Sequence, residues 1–86
     1  MVDIKVLGSG CPNCAKVEAA AKTAVAMLGA EAQISKITDY DEIRSYNVLA
    51  TPGLVINGKL VSAGRVPSDG EVTTWVADAL MEMEAG

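Results

Sequence analysis

The chain has 86 residues, of which half are hydrophobic and 21% are charged, and its net charge is −4 at neutral pH. A chain of this length forms one domain spanning residues 1–86, and its composition is typical of a packed globular protein rather than a disordered segment. The seven Lys and Arg residues are scattered and form no basic stripe, so nucleic acid is not an expected partner.

The first predicted elements are a strand and a helix separated by a glycine-containing turn. Apolar residues alternate with polar ones over residues 2–7, and from residue 12 to residue 28 the apolar period changes to that of a helix. Pro12 suits the first helical position, and Gly29 suits the C-terminal cap. The residues predicted to face the core from this helix are Cys14, Val17, Ala21, Val25 and Leu28.

The remaining predicted elements are a strand at residues 31–37, a short helix from Thr38 to near Asn47, strands at residues 54–56 and 60–63, and a helix capped at Ser68. Asn57-Gly58 is typical of a two-residue type I′ turn and predicts a β-hairpin. Ser68 and Glu71 have the spacing of a capping box. The last helix should bury Val72, Trp75, Val76, Ala79, Leu80 and Met83, and residues 82–86 should fray.

The two cysteines of the chain, Cys11 and Cys14, flank the start of the first helix. A disulfide at this spacing closes too small a loop to constrain the unfolded chain much. The sequence contains no His, which excludes Cys–His nucleophile pairs and mixed Cys/His zinc sites. The C-x-x-C spacing by itself fits both soft-metal sites and dithiol redox sites.

The position of each cysteine favours a redox function. At a helix start, the sulfur of Cys11 would lie among unpaired N–H groups at the positive end of the helix dipole, which stabilises a thiolate and lowers the thiol pKa. Cys14, one turn further on and facing inward, would be less accessible and better placed to attack a mixed disulfide. We therefore predict that Cys11 is the nucleophile and Cys14 the resolving thiol, and we assign no acid–base residue.

Three features together resemble the thioredoxin-like superfamily: C-P-N-C after the first strand, Thr-Pro before the hairpin, and a capped last helix. The likeness is greatest to the small thioredoxin-like proteins with glutaredoxin-like strand topology, and it spans nearly the whole chain. It implies an α/β fold of order βαβαββα, with a four-stranded mixed sheet of order 2-1-3-4 and helices on both faces. It also implies a thiol–disulfide oxidoreductase that needs no cofactor and whose partners are protein disulfide substrates and an upstream reductase.

The resemblance also implies roles for particular residues. The two cysteines match the attacking and resolving thiols of the family. Pro52 matches its cis-proline, which packs against the disulfide and leaves the backbone of Thr51 free to pair with a substrate strand. Pro12 and Asn13 lie between the sulfurs and would tune the pair and take part in substrate binding. Gly8 and Gly10 would let the backbone turn closely over the site.

A soft-metal binding domain or metallochaperone, holding Cu(I) or Zn(II) on the same cysteine pair, is the alternative function. Residues 8–14 also resemble the Gly-Met-x-Cys-x-x-Cys loop of heavy-metal-associated domains. That fold runs βαββαβ and ends on a strand, whereas this sequence predicts a final helix. The Thr51-Pro52 pair favours the redox function, so we expect no metal ligand.

The sequence also gives expectations about the environment of the protein. Its longest apolar runs are well short of the roughly 20 residues that cross a bilayer. Met1 leads directly into strand-like alternation, without the charged and apolar blocks of a signal peptide. We expect a cytoplasmic protein with no membrane partner, and we expect it to be a monomer.

Overall fold

A computed structural model of the chain describes residues 1–8, 12–48 and 50–85. The elements in chain order are β1 (Val2–Leu7), α1 (Pro12–Leu28), β2 (Ala32–Ile37), α2 (Tyr40–Ser45), β3 (Gly53–Ile56), β4 (Lys59–Ala63) and α3 (Asp69–Ala85). This is the predicted βαβαββα order, with every strand boundary within one residue of its predicted position.

Within the described ranges, no helix is both long and apolar enough to cross a membrane. The predicted roles of Gly10 and Cys11 fall on residues outside the described ranges.

The four strands form one mixed sheet of order β2-β1-β3-β4, which confirms the predicted α/β fold. β1 runs parallel to β2, to which α1 connects it, and antiparallel to β3. β3 and β4 form the predicted hairpin. Asn57 has a φ of 51° and Gly58 a φ of 82°, and positive φ at both central residues is what a type I′ turn requires.

The two faces of the sheet are covered unequally. Side chains alternate along a strand, so β1 sends Val2, Ile4 and Val6 into the main core beneath α1 and α3. Leu7 lies on the opposite face and packs with Val55 and with Ile43 of α2. Helices therefore lie on both faces, as predicted, but the α2 side is the thinner layer.

The buried face of α1 differs in part from the predicted one. Its buried residues are Cys14, Val17, Ala20, Ala21 and Ala24. Leu28, predicted to be in the core, is 37% exposed, and Val25 packs only against the margin of the core. Three of the five buried residues are alanines, and burial decreases within the last helical turn, which contains Val25 and Leu28.

The last helix begins with the predicted capping box. The Glu71 N–H donates to Ser68 Oγ, and the Ser68 N–H donates to Glu71 Oε1, both at 3.1 Å. Val72 and Val76 are fully buried, as predicted, but Met83 is 44% exposed. The prediction for Met83 was wrong, because this residue lies beyond the last helical turn that contacts the core. The helix also continues to Ala85, where fraying was expected.

Glu71 makes part of the folding free energy depend on pH. Hydrogen bonds from Arg65 and then from Ser68 lower the pKa of its carboxyl from 4.5 to about 2. A carboxyl with a depressed folded-state pKa stabilises the fold above its unfolded pKa, and the contribution is lost as the pH falls through the folded pKa. We expect the free-energy difference between wild type and Glu71→Gln to shrink between about pH 4.5 and pH 2. Urea unfolding at a series of pH values measures this difference, and a difference independent of pH would contradict the prediction.

Candidate active site

Three segments meet around the sulfur of Cys14. Gly8 follows β1, Cys14 lies in the first turn of α1, and Thr51-Pro52 directly precedes β3. A Cβ atom placed on Gly8 would lie 2.5 Å from Cys14 Sγ, 3.4 Å from Thr51 Cβ and 3.9 Å from Pro52 Cα. The structure therefore brings together Cys14, Thr51 and Pro52, three of the residues to which the sequence assigned a function.

The antiparallel pairing of β1 and β3 explains why these segments meet. Leu7, the last residue of β1, lies opposite Gly53, the first residue of β3. The C-terminal end of β1 therefore lies beside the N-terminal end of β3. Gly8 has a φ of 144° and no room for a side chain beside Cys14, so glycine is required both by its backbone conformation and by the close approach of the sulfur.

Cys14 faces inward and is buried, as its helical position predicted. Its side chain is 7% exposed, and it lies on the same buried face of α1 as Val17. Its sulfur is part of a disulfide. Pro12 and Asn13, which precede it, are both exposed. Their predicted part in substrate binding stays a prediction.

The Thr51–Pro52 peptide bond is cis, as the resemblance implied. Pro52 is buried, whereas Thr51 is exposed. The carbonyl oxygen of Pro52 accepts a hydrogen bond of 2.9 Å from the Gly64 N–H. Within the described part of the chain, Thr51 makes no backbone hydrogen bond outside the sheet ladders. The contribution of Gly64 was not predicted, because no local sequence pattern pairs this residue with Pro52.

The charged residue at the centre of β1, Lys5, belongs to the other face of the sheet. Its Nζ donates a hydrogen bond of 3.1 Å to the hydroxyl of Tyr46 and lies 5.8 Å from the centre of that ring. The hydrogen bond to Tyr46 raises the pKa of Lys5. Lys5 thus pairs with the segment that follows α2, on the side of the sheet opposite Cys14.

A cleft of about 310 Å³ lies far from Cys14, between the β3–β4 hairpin and α3. Its lining includes Ile56, Asn57 and Trp75. Ile56 and Gly53 are at opposite ends of β3, and Gly53 is at the end next to the cysteine site. Trp75, the only tryptophan of the chain, is therefore remote from the disulfide.

The position of Trp75 predicts a fluorescence property. Quenching of an indole by a disulfide requires the two groups to lie close together, so the emission of Trp75 should change little when the disulfide is reduced. Emission spectra of the oxidised and dithiothreitol-reduced protein test this expectation. A severalfold change in intensity would show that reduction alters the surroundings of Trp75 at the other end of the sheet.

Comparison with known proteins agrees with this geometry. The family model described as "Thioredoxin domain" matches residues 2–77. A protein named Thioredoxin from Methanothermobacter thermautotrophicus is 40% identical over 72 residues, which cover 84% of this chain and 94% of that protein. Another of the same name, from Methanocaldococcus jannaschii, is 40% identical over 72 residues that cover 84% of this chain and 83% of that protein. The chain therefore belongs to the thioredoxin family and is a thioredoxin-like disulfide oxidoreductase.

Proposed function

We propose that this oxidoreductase exchanges disulfides through Cys11 and Cys14, with Cys11 attacking the substrate and Cys14 resolving the mixed disulfide. The observation that carries this assignment is the burial of Cys14, whose side chain is 7% exposed and is packed against Gly8. An incoming disulfide cannot readily reach a sulfur in this position. The first attack therefore falls to the other thiol of the pair.

The proposed reaction consists of two exchange steps. The Cys11 thiolate attacks one sulfur of a substrate disulfide, and the other substrate sulfur leaves as a thiolate that takes up a proton. The Cys14 thiolate then attacks the Cys11 sulfur, which forms the Cys11–Cys14 disulfide and releases the second substrate thiol. The substrate gains two electrons and two protons, and the protein dithiol loses them. An upstream reductase restores the dithiol.

The substrates that suit this site are protein disulfides in an extended segment. Thr51 is exposed beside the buried Pro52, and its backbone N–H and C=O would pair with a strand laid across the sulfurs. The exposed residues Pro12 and Asn13 would form the opposite rim of the same surface. Backbone pairing of this kind accepts many sequences, so we propose a broad range of protein substrates.

The assignment of the two thiols can be tested by labelling and trapping. Iodoacetamide should modify Cys11 of the reduced protein much faster than the buried Cys14. In an insulin-reduction assay, Cys11→Ser should abolish activity, whereas Cys14→Ser should accumulate a mixed disulfide with the substrate, because the resolving step is lost. Peptide mass spectrometry identifies both products. Equal labelling of the two thiols, or trapping by Cys11→Ser, would overturn the assignment.

The element order and the family match favour disulfide exchange over the alternative function of soft-metal binding. The heavy-metal-associated fold has a strand as its fourth element, whereas the fourth element of this chain is α2. The family match is to thioredoxin over residues 2–77. No contact among the described residues specifically favours metal binding over dithiol exchange.

A further inference from the structure

The loop between β4 and α3 links the Thr51-Pro52 segment to the start of α3. At the beginning of the loop, the Gly64 N–H donates to the carbonyl oxygen of Pro52 at 2.9 Å. The next residue, Arg65, donates from Nη1 and Nη2 to the two carboxylate oxygens of Glu71, at 3.0 and 2.7 Å. At the end of the loop, the Ser68 N–H donates to the same carboxylate at 3.1 Å. Glu71 therefore fixes the loop at two of its residues.

The start of this loop lies directly against the proposed substrate surface. Gly64 has a φ of 76°, and a Cβ on it would lie 3.2 Å from the Cβ of Ala50, the residue before Thr51. Pro52, which Gly64 contacts, is in turn beside Gly8 and Cys14. A displacement of Gly64 would therefore move the segment that faces the sulfur.

The ion pair between Arg65 and Glu71 makes a modest contribution to the stability of the fold, and its geometry is suited to fixing the loop. The two side chains are 53% and 41% exposed, and ion pairs at the surface contribute little to the free energy of unfolding. A bidentate pair nevertheless fixes the direction of a guanidinium group, because two parallel hydrogen bonds must be satisfied together. The hydrogen bond between the pair raises the pKa of Arg65 and lowers that of Glu71, so both groups stay charged at neutral pH.

We propose that Arg65 and Glu71 are positioning residues for disulfide exchange: by fixing the loop, they hold the Gly64 N–H on the Pro52 carbonyl and so keep the Thr51-Pro52 segment in place beside Cys14. This inference rests on the proposed function of the site. Both residues would act through Gly64 and Pro52. Their effect is on the placement of the substrate, and it should appear in KM rather than in the reduction potential.

Arg65→Met is the informative variant, because it removes both hydrogen bonds and keeps an unbranched apolar side chain in place of the arginine stem. We expect kcat/KM for insulin reduction to fall roughly 5- to 10-fold, since small displacements of a positioned group have effects of this order or larger. Most of the fall should be a rise in KM, with the reduction potential unchanged. Arg65→Lys should restore only part of the rate, because an ammonium group cannot make the bidentate contact.

Ser68→Ala is the matched control. It removes the hydroxyl that caps α3 and should lower Tm, but it leaves the Arg65–Glu71 pair intact. We expect the stability to fall while kcat/KM stays near that of the wild type. An equal loss of kcat/KM in Ser68→Ala would overturn the proposal, because activity would then follow helix stability rather than the ion pair.

Amide hydrogen exchange of Gly64 tests the same proposal without an activity assay. Arg65→Met should accelerate exchange at Gly64 severalfold, while the amides of β4 that pair with β3 keep their wild-type rates. Unchanged protection of Gly64, or faster exchange with unchanged kcat/KM, would overturn the proposal. If the wild-type protein reduces no disulfide, the proposed function fails, and protection of Gly64 decides on its own whether the ion pair holds the loop.

Discussion

Gly8→Ala is expected to destabilise the protein by roughly 2–5 kcal/mol and to slow disulfide exchange. Two costs add at this position. The residue has a φ of 144°, a conformation that residues with a side chain rarely adopt. The new Cβ would also lie 2.5 Å from Cys14 Sγ, so the sulfur or the backbone must move. Any such movement changes the position of Cys14, the proposed resolving thiol, relative to Thr51 and Pro52.

Gly29→Ala separates the backbone cost from the steric one. Gly29 has a φ of 61°, and a Cβ there would have no atom within 4 Å. Its substitution should therefore cost only about 1–2 kcal/mol and should leave the exchange rate unchanged. Urea unfolding and insulin reduction on both variants give the comparison. Equal effects of the two substitutions on activity would show that the contact of Gly8 with Cys14 is unimportant.

Leu54→Ala should be the second large destabilisation, at roughly 2–5 kcal/mol. Leu54 is fully buried in the main core and pairs across the sheet with Val6. Its truncation would leave a cavity between the sheet and the two long helices. Small domains have about 5–15 kcal/mol of total stability, so the loss is a large fraction of it. Tm measured by circular dichroism should fall by more than about 10 °C.

Leu28→Ala makes the same chemical change at the position that the helical period had assigned to the core. Because Leu28 is 37% exposed, and because alanine favours the helical conformation, the cost should be below about 1 kcal/mol. A cost as large as that of Leu54→Ala would mean that the last turn of α1 packs more tightly than its exposure indicates.

The architecture was predictable because local signals were consistent along the chain. The apolar period changes at Pro12, Asn57-Gly58 specifies the hairpin, and Ser68 with Glu71 specifies the start of α3. Each of these signals depends on residues within one or two turns of one another. The inward direction of Cys14 followed from the same helical period, which is why its burial could be predicted.

Features that depend on residue size or on distant pairing were not predictable. Alanine gives a weak hydropathy signal, so the buried positions of Ala20 and Ala24 were missed. Lys5 and Tyr46 are 41 residues apart, and nothing in either segment indicates that they meet. Arg65 lies close to the recognised capping box, yet its bond to Glu71 depends on how the loop turns. Long-range contacts of these kinds are set by the fold as a whole.

The thin layer formed by α2 implies that the protein opens in stages. Among the described residues, this side of the sheet buries Leu7, Ile43 and Val55, whereas the helices α1 and α3 cover the larger core. A segment with so few buried contacts separates at a lower free energy than the whole domain and behaves as a local foldon. Five residues of the sequence separate the end of α2 from Thr51. The proposed substrate surface is thus joined to the thinner layer of the molecule, while Cys14 lies on α1, a helix of the larger core.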